Sequence, residues 1–467
     1  MDDPTPALPG HVIVYGAEDR LPLGPALLVA SQQVTAMVVG VITPALLLSG
    51  ILKFSPADTS YLVSMALVAA AVGTFLQTRR VGPIGSGLLS VTGTSFAFLP
   101  VLIQAGRLGG LPLMFGMSLA TAPVQIILAP FLPRLCHLFP PLVSGIVVLL
   151  IGLSIIPEAM RGIVASPGPG APPWAGGLIA FIVVVQVLLA HAVGKVWARL
   201  SGILLGVLAG YLACAIGGWL TPPPPAGSWL ALPRVFPHGL AFRWDLLLPF
   251  AFIYFVSLLE ALGDMTATTE LSGLPATGPA HAKRLRAGLL ADGVTSIFAA
   301  VIGSFPSTTY AQNNGVIQIT GVASRHIGKW MALIMLSLGL LPAVSGWVTA
   351  MPPAVLGGMA LLLFGLVSVS GIRLIVGRHL SHRNALIAAL ALGVGLGAPS
   401  QPEWLEHLPG IIRALLASGI SAGGILAIVL NLALPGDDIR SAKCRLQSPQ
   451  KSLSHQTERP RQEFDSH

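Results

Sequence analysis

The stretch from Leu246 to Met265 reads LLLPFAFIYFVSLLEALGDM and is apolar except for two carboxylic acids, Glu260 and Asp264. A helix of ~20 residues measures roughly 30 Å, which is the thickness of the hydrocarbon core of a bilayer. Because the two acids are four residues apart, a helix places them on one face. An acid at this depth costs about 2.5–3.5 kcal/mol on insertion scales, which indicates a role with ions, protons or a polar substrate.

The composition extends this interpretation to the whole chain. Of 467 residues, 54% are hydrophobic and 9% are charged, whereas about 25% are charged in soluble proteins. The mean hydropathy is +0.80. A soluble fold of this size could not cover its surface with so few charges, so we predict an all-α, multi-pass membrane protein. The formal net charge of +8 fits basic cytoplasmic loops, and no aromatic-interleaved basic run indicates binding to nucleic acid.

Targeting and cofactor signals are lacking. The acidic, proline-broken start MDDPTPALPG does not resemble a cleavable signal peptide. The three cysteines have neither CxxC nor metal-ligand spacing, so we expect no metal, no cofactor and no disulfide framework; they are Cys136, Cys214 and Cys444.

Apolar segments follow one another along the chain, and we place thirteen of them at residues 26–51, 59–78, 86–106, 112–133, 140–157, 174–194, 201–220, 246–268, 285–304, 328–350, 353–372, 384–398 and 417–435. A more polar segment, Phe305 to Thr320, lies between the ninth and the tenth. Counting it gives fourteen spans and places both termini on one side of the membrane. With the termini in the cytoplasm, thirteen Lys and Arg residues fall in cytoplasmic loops and six in the opposite loops, as the positive-inside rule requires.

A proline-rich loop divides the fourteen spans into two groups of seven. Halves with an odd number of spans enter the membrane in opposite orientations, which is the pattern of inverted repeats. The predicted organisation is a cytoplasmic N-terminal segment, a first repeat, the loop, a second repeat and a polar cytoplasmic tail, at residues 1–24, 25–220, 221–245, 246–436 and 437–467.

Two interrupted spans occupy matching positions in the two halves. The third span is rich in Gly, Ser and Thr from Ser86 to Phe96, and the tenth is the polar segment from Phe305. Such pairs favour a substrate site at the middle of the membrane, although small residues in one span can also serve helix packing.

Polar side chains in and beside these spans are the candidates for chemistry. Burial and a neighbouring like charge both favour the protonated form of a carboxyl group, so Glu260 and Asp264 could take up and release protons. Asp292 is the third acid at membrane depth, with a role in capping or helix packing as the alternative. Gln312 and Asn313 offer amide donors and acceptors side by side, which suit the N–H and C=O edge of a purine or pyrimidine dione; alternatively, they bond to broken backbone.

Four runs of this sequence resemble motifs of a known family. The run QNNGVIQITGVASR from Gln312, with Asn313, Gly315 and Thr320 in the spacing N-x-G-x-x-x-x-T, is similar to the signature of the nucleobase–ascorbate transporters, or nucleobase:cation symporter family 2. EALGD from Glu260, LLADG from Leu289 and GTSFAF from Gly93 resemble its eighth, ninth and third spans. The resemblance covers about residues 24–436 and is closest to bacterial xanthine permeases.

The resemblance implies a fold and a set of roles. The fold is fourteen spans in two inverted repeats, arranged as core and gate domains, with short strands in spans three and ten and a homodimeric assembly in the bacterial inner membrane. Glu260 and Gln312 would bind the purine, Phe96 would stack on it, and the nearby residues would be Ser95 and Ala311. The resemblance assigns proton coupling or site architecture to Asp264 and Asp292, with Glu260 as a further coupling residue, and specificity to Asn313, Gln33 and Thr320.

One departure concerns Gln32-Gln33, where many relatives carry Gln-His. Histidine titrates near neutral pH and glutamine does not, so the substrate range here could differ. The expected function is proton-coupled uptake of a purine base, with xanthine first and uric acid second. Uracil transport and an anion carrier of the sulfate or bicarbonate type are alternatives, and two acids in the eighth span would repel an anion. An intramembrane enzyme is disfavoured because HExxH, P-loop and metal spacings are absent.

Overall fold

The computed structural model describes residues 13–131, 140–193, 196–220, 230–376 and 381–434. Several predicted features therefore lie wholly or partly outside the described residues: the first twelve residues of the N-terminal segment, residues 221–229 of the proline-rich loop, the tail at 437–467, Cys136 and Cys444.

The first half of the chain contains seven described α-helices. They are α1 (Leu23–Leu52), α2 (Pro56–Arg79), α3 (Leu99–Thr121), α4 (Pro123–Leu128), α5 (Pro141–Val164), α6 (Ala175–Ala192) and α7 (Val196–Ile216). Between α2 and α3 the chain forms a short strand, β1 (Thr92–Thr94), and one 3-10 turn, Phe96–Phe98.

The second half begins with a 3-10 turn, Trp244–Leu246, and its first long helix carries the acidic pair. Its helices are α8 (Leu247–Leu271), α9 (Gly278–Val301), α10 (Gln312–Thr320), α11 (Gly328–Leu340), α12 (Pro342–Thr349), α13 (Pro353–Val376), α14 (His382–Gly397), α15 (Pro402–Glu406), α16 (Gly410–Ala417) and α17 (Gly419–Ala433). A second strand, β2 (Ser307–Thr309), lies between α9 and α10, and further 3-10 turns are Arg325–Ile327 and Ala398–Ser400.

The described helices include many that are long and apolar, as the composition predicted for a membrane protein. Within the described ranges, seven helical segments are long and apolar enough to cross a bilayer, and a bent pair makes an eighth. Several predicted spans do not form one uninterrupted helix. Gly109 and Gly110 leave helical geometry inside α3, at the junction predicted between the third and fourth spans. The axes of α16 and α17 differ by 98° at Ser418, whose side chain caps α17.

The two short strands join the halves of the molecule. They pair antiparallel, with Thr92 opposite Thr309, Gly93 opposite Thr308 and Thr94 opposite Ser307. All six residues are buried. Backbone that leaves a helix at membrane depth must find partners within the protein, and this pairing supplies them. The strand pair therefore fixes the distance between the start of α3 and the start of α10.

The segment before α1 is also attached to the second half. Val14 donates its backbone N–H to Gly321 at 2.8 Å, and Ala323 donates to Tyr15 at 2.9 Å. Arg325 forms a salt bridge with Glu18 at 2.6 Å. The N-terminal segment and the loop after α10 therefore lie at the same end of the molecule.

Glycines allow α5 and α13 to pack closely. The two helices share the most extensive contact among the described elements. A Cβ atom added at Gly371 would lie 2.5 Å from the backbone nitrogen of Leu149 and 2.8 Å from the carbonyl oxygen of Gly145. Without a hydrophobic effect between helices in lipid, such close approach is the main source of helix association.

Substituting Gly371→Leu should separate α5 from α13 and lower the free energy of unfolding by about 1–3 kcal/mol. The matched control is Gly365→Leu on the same helix, where an added Cβ meets no atom within 4 Å. The measurement is denaturant unfolding of the purified proteins in detergent. Equal stability of the two variants would contradict the packing argument.

Candidate functional site

Three carboxylic acids lie close together on α8 and α9. Glu260 and Asp264 are one turn apart on α8, and Asp292 is fully buried on α9. Glu260 interacts electrostatically with both of the others. Its Oε2 atom is buried and has no hydrogen-bond partner among the described residues. Because a buried carboxylate oxygen without a donor is costly, this atom is a candidate for contact with a ligand.

Asp292 is held by a side chain from the first half. Gln77 on α2 donates from Nε2 to Asp292 Oδ1 at 2.8 Å and to the carbonyl oxygen of Gly288 at 2.9 Å. The Oε1 atom of the same amide accepts the backbone N–H of Ser86 at 3.1 Å. Gln77 is itself fully buried. One amide thus fixes α9, the chain before β1 and the position of Asp292.

The end of β1 carries the next group of candidates. Ser95 follows the strand, is fully buried, and has a side-chain oxygen without a hydrogen-bond partner among the described residues. Phe96 is only half-buried. Its ring lies 6.2 Å from that of Tyr310 in a stacked arrangement and 5.3 Å from that of Phe364 on α13 in an edge arrangement. Phe96 therefore lies between the strand pair and α13.

Tyr310 fixes the chain between β2 and α10. Its hydroxyl donates to the carbonyl oxygen of Thr94 at 2.7 Å and lies 3.2 Å from that of Gly40 on α1. A Cβ atom at Gly93 would lie 2.6 Å from the Tyr310 ring, so only glycine permits this approach. Tyr310 thus connects the strand pair with α1.

The beginning of α10 faces the same region through its amides. Asn313 is buried and donates from Nδ2 to the carbonyl oxygen of Leu89, just before β1. Asn314 accepts from the hydroxyl of Thr268 on α8 at 2.6 Å and donates to the carbonyl oxygen of Asp264 at 3.3 Å. These bonds hold the first turn of α10 against the acidic face of α8.

Ala311 and Gln312 begin α10 and are both exposed, unlike Asn313. The adjoining space is open on both helices. Gly263, between the two acids of α8, and Gly315 on α10 are exposed, and a Cβ atom at either would meet nothing within 4 Å. Gln312 therefore has room to contact a ligand.

Two further predicted specificity residues lie on α1 and at the end of α10. Gln33 on α1 is fully buried, and neither polar atom of its side chain has a partner in the described part of the chain. Thr320 ends α10, donates to the carbonyl oxygen of Val316 at 2.8 Å, and accepts the N–H of Val322. It lies about 12 Å along the helix from Gln312. The Thr320 hydroxyl is thus engaged in local bonds at the end of α10.

The arrangement has the chemistry of a site for a flat polar molecule. A carboxylate accepts N–H groups, an amide both donates and accepts, and a half-buried ring offers a surface for stacking. Sequence reasoning missed Gln77 and Tyr310. The only local signals were a lone amide in an apolar span and a tyrosine two residues before Gln312.

Comparison with known proteins identifies the family. The model of the Permease family, Xan_ur_permease, matches residues 24–404. The xanthine permease XanP of Escherichia coli K12 is 40% identical over 440 residues, which cover 91% of this chain and 95% of XanP. The xanthine permease XanQ of the same organism is 39% identical over 447 residues with the same coverage. The purine permease of Emericella nidulans is 31% identical and covers 91% of this chain and 84% of its own length.

Solved structures agree on the fold. The transmembrane domain of the cyanobacterial bicarbonate transporter BicA superposes with a TM-score of 0.60 at 15% identity, covering 87% of this chain and 99% of that one. The murine anion transporter Slc26a9 in its inward-facing state gives 0.59 at 11% identity, covering 89% and 69%. The resemblance found in the sequence is confirmed: the chain belongs to the Xan_ur_permease family, nucleobase:cation symporter family 2, within a multi-pass membrane fold shared with these anion transporters.

Proposed function

We propose that this protein takes up a purine base, with xanthine as the first candidate, together with protons across the bacterial inner membrane. The observation that carries the proposal is the buried Oε2 atom of Glu260, which lacks a donor within the described residues. Family membership and the names of XanP and XanQ support a purine as the molecule that donates a hydrogen bond to this atom.

The binding mode follows from the donors and acceptors of the site. Glu260 accepts ring N–H groups of the purine, and Gln312 reads the opposite edge through its amide. The unpartnered hydroxyl of Ser95 supplies a further hydrogen bond, and Phe96 lies against the ring face. Asn313 and Ala311 shape the same edge of the pocket, and Gln33 and Thr320 adjust specificity from a distance.

We infer that the architecture is fourteen spans in two inverted repeats, residues 25–220 and 246–436. The repeats are supported by their matching strands, since β1 lies between α2 and α3 as β2 lies between α9 and α10. The helix break at Gly109 and Gly110 supports separate third and fourth spans. In this arrangement β1 belongs to span three and β2 to span ten, and both termini are cytoplasmic. Helices α5 and α13 belong to a gate domain that moves against the core.

Proton coupling is assigned to the three acids. Glu260 lies close enough to Asp264 and Asp292 for their charges to interact, so a proton taken up by one favours ionisation of another. Binding of a purine to ionised Glu260 would therefore accompany proton uptake elsewhere in the group. Each proton moved inward through 100 mV contributes about 2.3 kcal/mol, which is enough for roughly 40-fold accumulation of a neutral substrate.

The alternative substrates differ in the charge that the site would have to accept. Uric acid or uracil would use the same edge contacts as xanthine. A bicarbonate or sulfate carrier is supported by the fold of BicA and Slc26a9, but Glu260 and Asp264 would repel an anion. We assign a homodimer as the working assembly, by analogy with the family.

The substitution Glu260→Gln should abolish uptake of radiolabelled xanthine, because it removes the ionised acceptor at the site while keeping side-chain volume. Glu270→Gln is the matched control, since Glu270 is exposed at the end of the same helix. Uptake is measured in cells at equal membrane abundance of each protein, with unlabelled uric acid and uracil as competitors. Normal uptake by the Glu260 variant would remove the proposed binding mode.

Accumulation of xanthine should depend on the proton gradient. A protonophore is expected to abolish net accumulation, because the substrate itself carries no charge to drive it. Exchange of labelled for unlabelled xanthine at equal concentrations on both sides should persist, which controls for damage to the protein. Accumulation that continues in the presence of protonophore would rule out proton symport.

The variant Gln77→Leu should be less stable by about 1–3 kcal/mol, because it leaves Asp292 and the N–H of Ser86 without their buried partner. The control is Gln125→Leu on α4, a fully buried glutamine whose amide has no partner among the described residues. Stability is measured by thermal unfolding in detergent, and xanthine affinity in parallel. An equal loss of stability in the two variants would contradict a stabilising role for the Gln77 hydrogen bonds.

A further inference from the structure

A cavity lies where the chain leaves α2 and where α9 begins. It has a volume of about 550 Å³. Its lining consists of Arg80, Gly82, Pro83, Gly85, Ala280, Lys283, Arg284, Arg286, Ala287 and Leu290. The two walls are joined by a hydrogen bond from the backbone N–H of Gly85 to the carbonyl oxygen of Ala287 at 2.8 Å. The cavity therefore lies between the turn that follows α2 and the first turns of α9, and this bond holds the two walls together.

Four basic side chains surround this cavity and are not neutralised within the described part of the chain. Arg80, Lys283, Arg284 and Arg286 form no salt bridge there. Arg284 interacts unfavourably with Arg80, and the acid that attracts it, Glu18, instead forms its salt bridge with Arg325. The cavity therefore carries an uncompensated positive charge.

Arg284 also has unused hydrogen-bond donors. Its Nε and Nη1 atoms are buried and have no partner among the described residues. Buried N–H donors without acceptors are costly, and a phosphate offers several oxygens in a geometry that matches the guanidinium fork. Arg284 as a whole is half-buried, and its two buried, unpartnered donors support an anion as the ligand that completes the cavity.

The rest of the lining is apolar, which selects among anions. Pro83, Ala280, Ala287 and Leu290 supply hydrocarbon surface beside the basic group. Inorganic phosphate or a soluble organic phosphate would gain nothing from that surface, whereas a phospholipid buries its glycerol and upper acyl carbons against it. Basic cavities between membrane helices at the cytoplasmic boundary suit anionic headgroups for this reason.

We propose that this cavity binds the phosphate headgroup of an anionic phospholipid from the surrounding leaflet. The proposal rests on the proposed membrane orientation only, since it requires α9 to cross the bilayer with Lys283 and Arg286 at its cytoplasmic end. It does not depend on which molecule the protein transports.

The cavity is also connected to the acidic site. Arg80 donates from Nε and Nη2 to the carbonyl oxygen of Ser86 at 3.3 and 3.2 Å, and Ser86 donates its N–H to Gln77. Gln77 in turn holds Asp292. Arg80 therefore has a structural role, so a test of lipid binding should leave it unchanged.

The test uses the full-length protein, purified in a neutral detergent and exchanged into defined lipid. Binding of phosphatidylglycerol and of phosphatidylcholine is measured by native mass spectrometry across a lipid titration. The first variant is the double substitution Lys283→Gln with Arg286→Gln, because both side chains are exposed and their loss should not unfold the protein. The second is Arg284→Gln. The control is Arg373→Gln at the exposed end of α13.

We expect the wild type to prefer phosphatidylglycerol, and the double variant to lose about 10- to 30-fold in affinity for it, as two surface cations would contribute. Arg284→Gln should lose affinity, and Arg373→Gln should bind as the wild type does. Unchanged binding by the cavity variants, or an equal loss in Arg373→Gln, would overturn the proposal. So would displacement of the lipid by inorganic phosphate at similar concentration, which would indicate a free-anion site. None of these results depends on xanthine transport.

Discussion

The pairing of β1 with β2 is the constraint on which the rest of the site depends. Each strand lies between two helices of the membrane fold, and backbone groups outside helices in such a fold must be bonded within the protein. Three pairs of residues meet across the two halves of the chain. The antiparallel register places Ser95 beside Pro306, just before β2, and Tyr310 beside Val91, just before β1, so the pair fixes the starts of α3 and α10 at its two opposite ends. Polar backbone can lie inside this apolar fold because the two strands bond to each other.

The buried acids are the second element, and the structure holds them unequally. Asp292 is held through Oδ1 by the Gln77 amide, although its Oδ2 has no partner in the described part of the chain; Glu260 Oε2 has none there either. Groups with hydrogen-bond partners are held in position, whereas a group without a partner can bind a substrate without first breaking a bond within the protein. The same contrast separates Asn313 and Asn314, which bond to neighbouring elements, from the exposed Gln312. Asp292 and Asn313 thus hold neighbouring elements and also keep one buried oxygen each without a partner in the described residues.

Much of this could be predicted from the sequence, and the limits have physical causes. Hydropathy alone indicated a membrane protein, and the run from Gln312 to Arg325 indicated the family. The four-residue spacing of Glu260 and Asp264 was sufficient to place both acids on one helical face, because residues three or four apart are neighbours on a helix. The bond between Gln77 and Asp292 joins residues 215 positions apart, and no local pattern encodes it. Strands of three residues are too short for an alternating pattern, so their pairing came from the family resemblance. Thr320 is near Gln312 in sequence, but two turns of α10 separate them.

The most direct test of the account is an experimental structure of the protein with xanthine bound. We expect the purine to lie with one edge in hydrogen-bonding distance of the Glu260 carboxylate and its ring face against Phe96, at the ends of the two strands. A purine bound away from α8, or Glu260 turned towards lipid, would contradict the account.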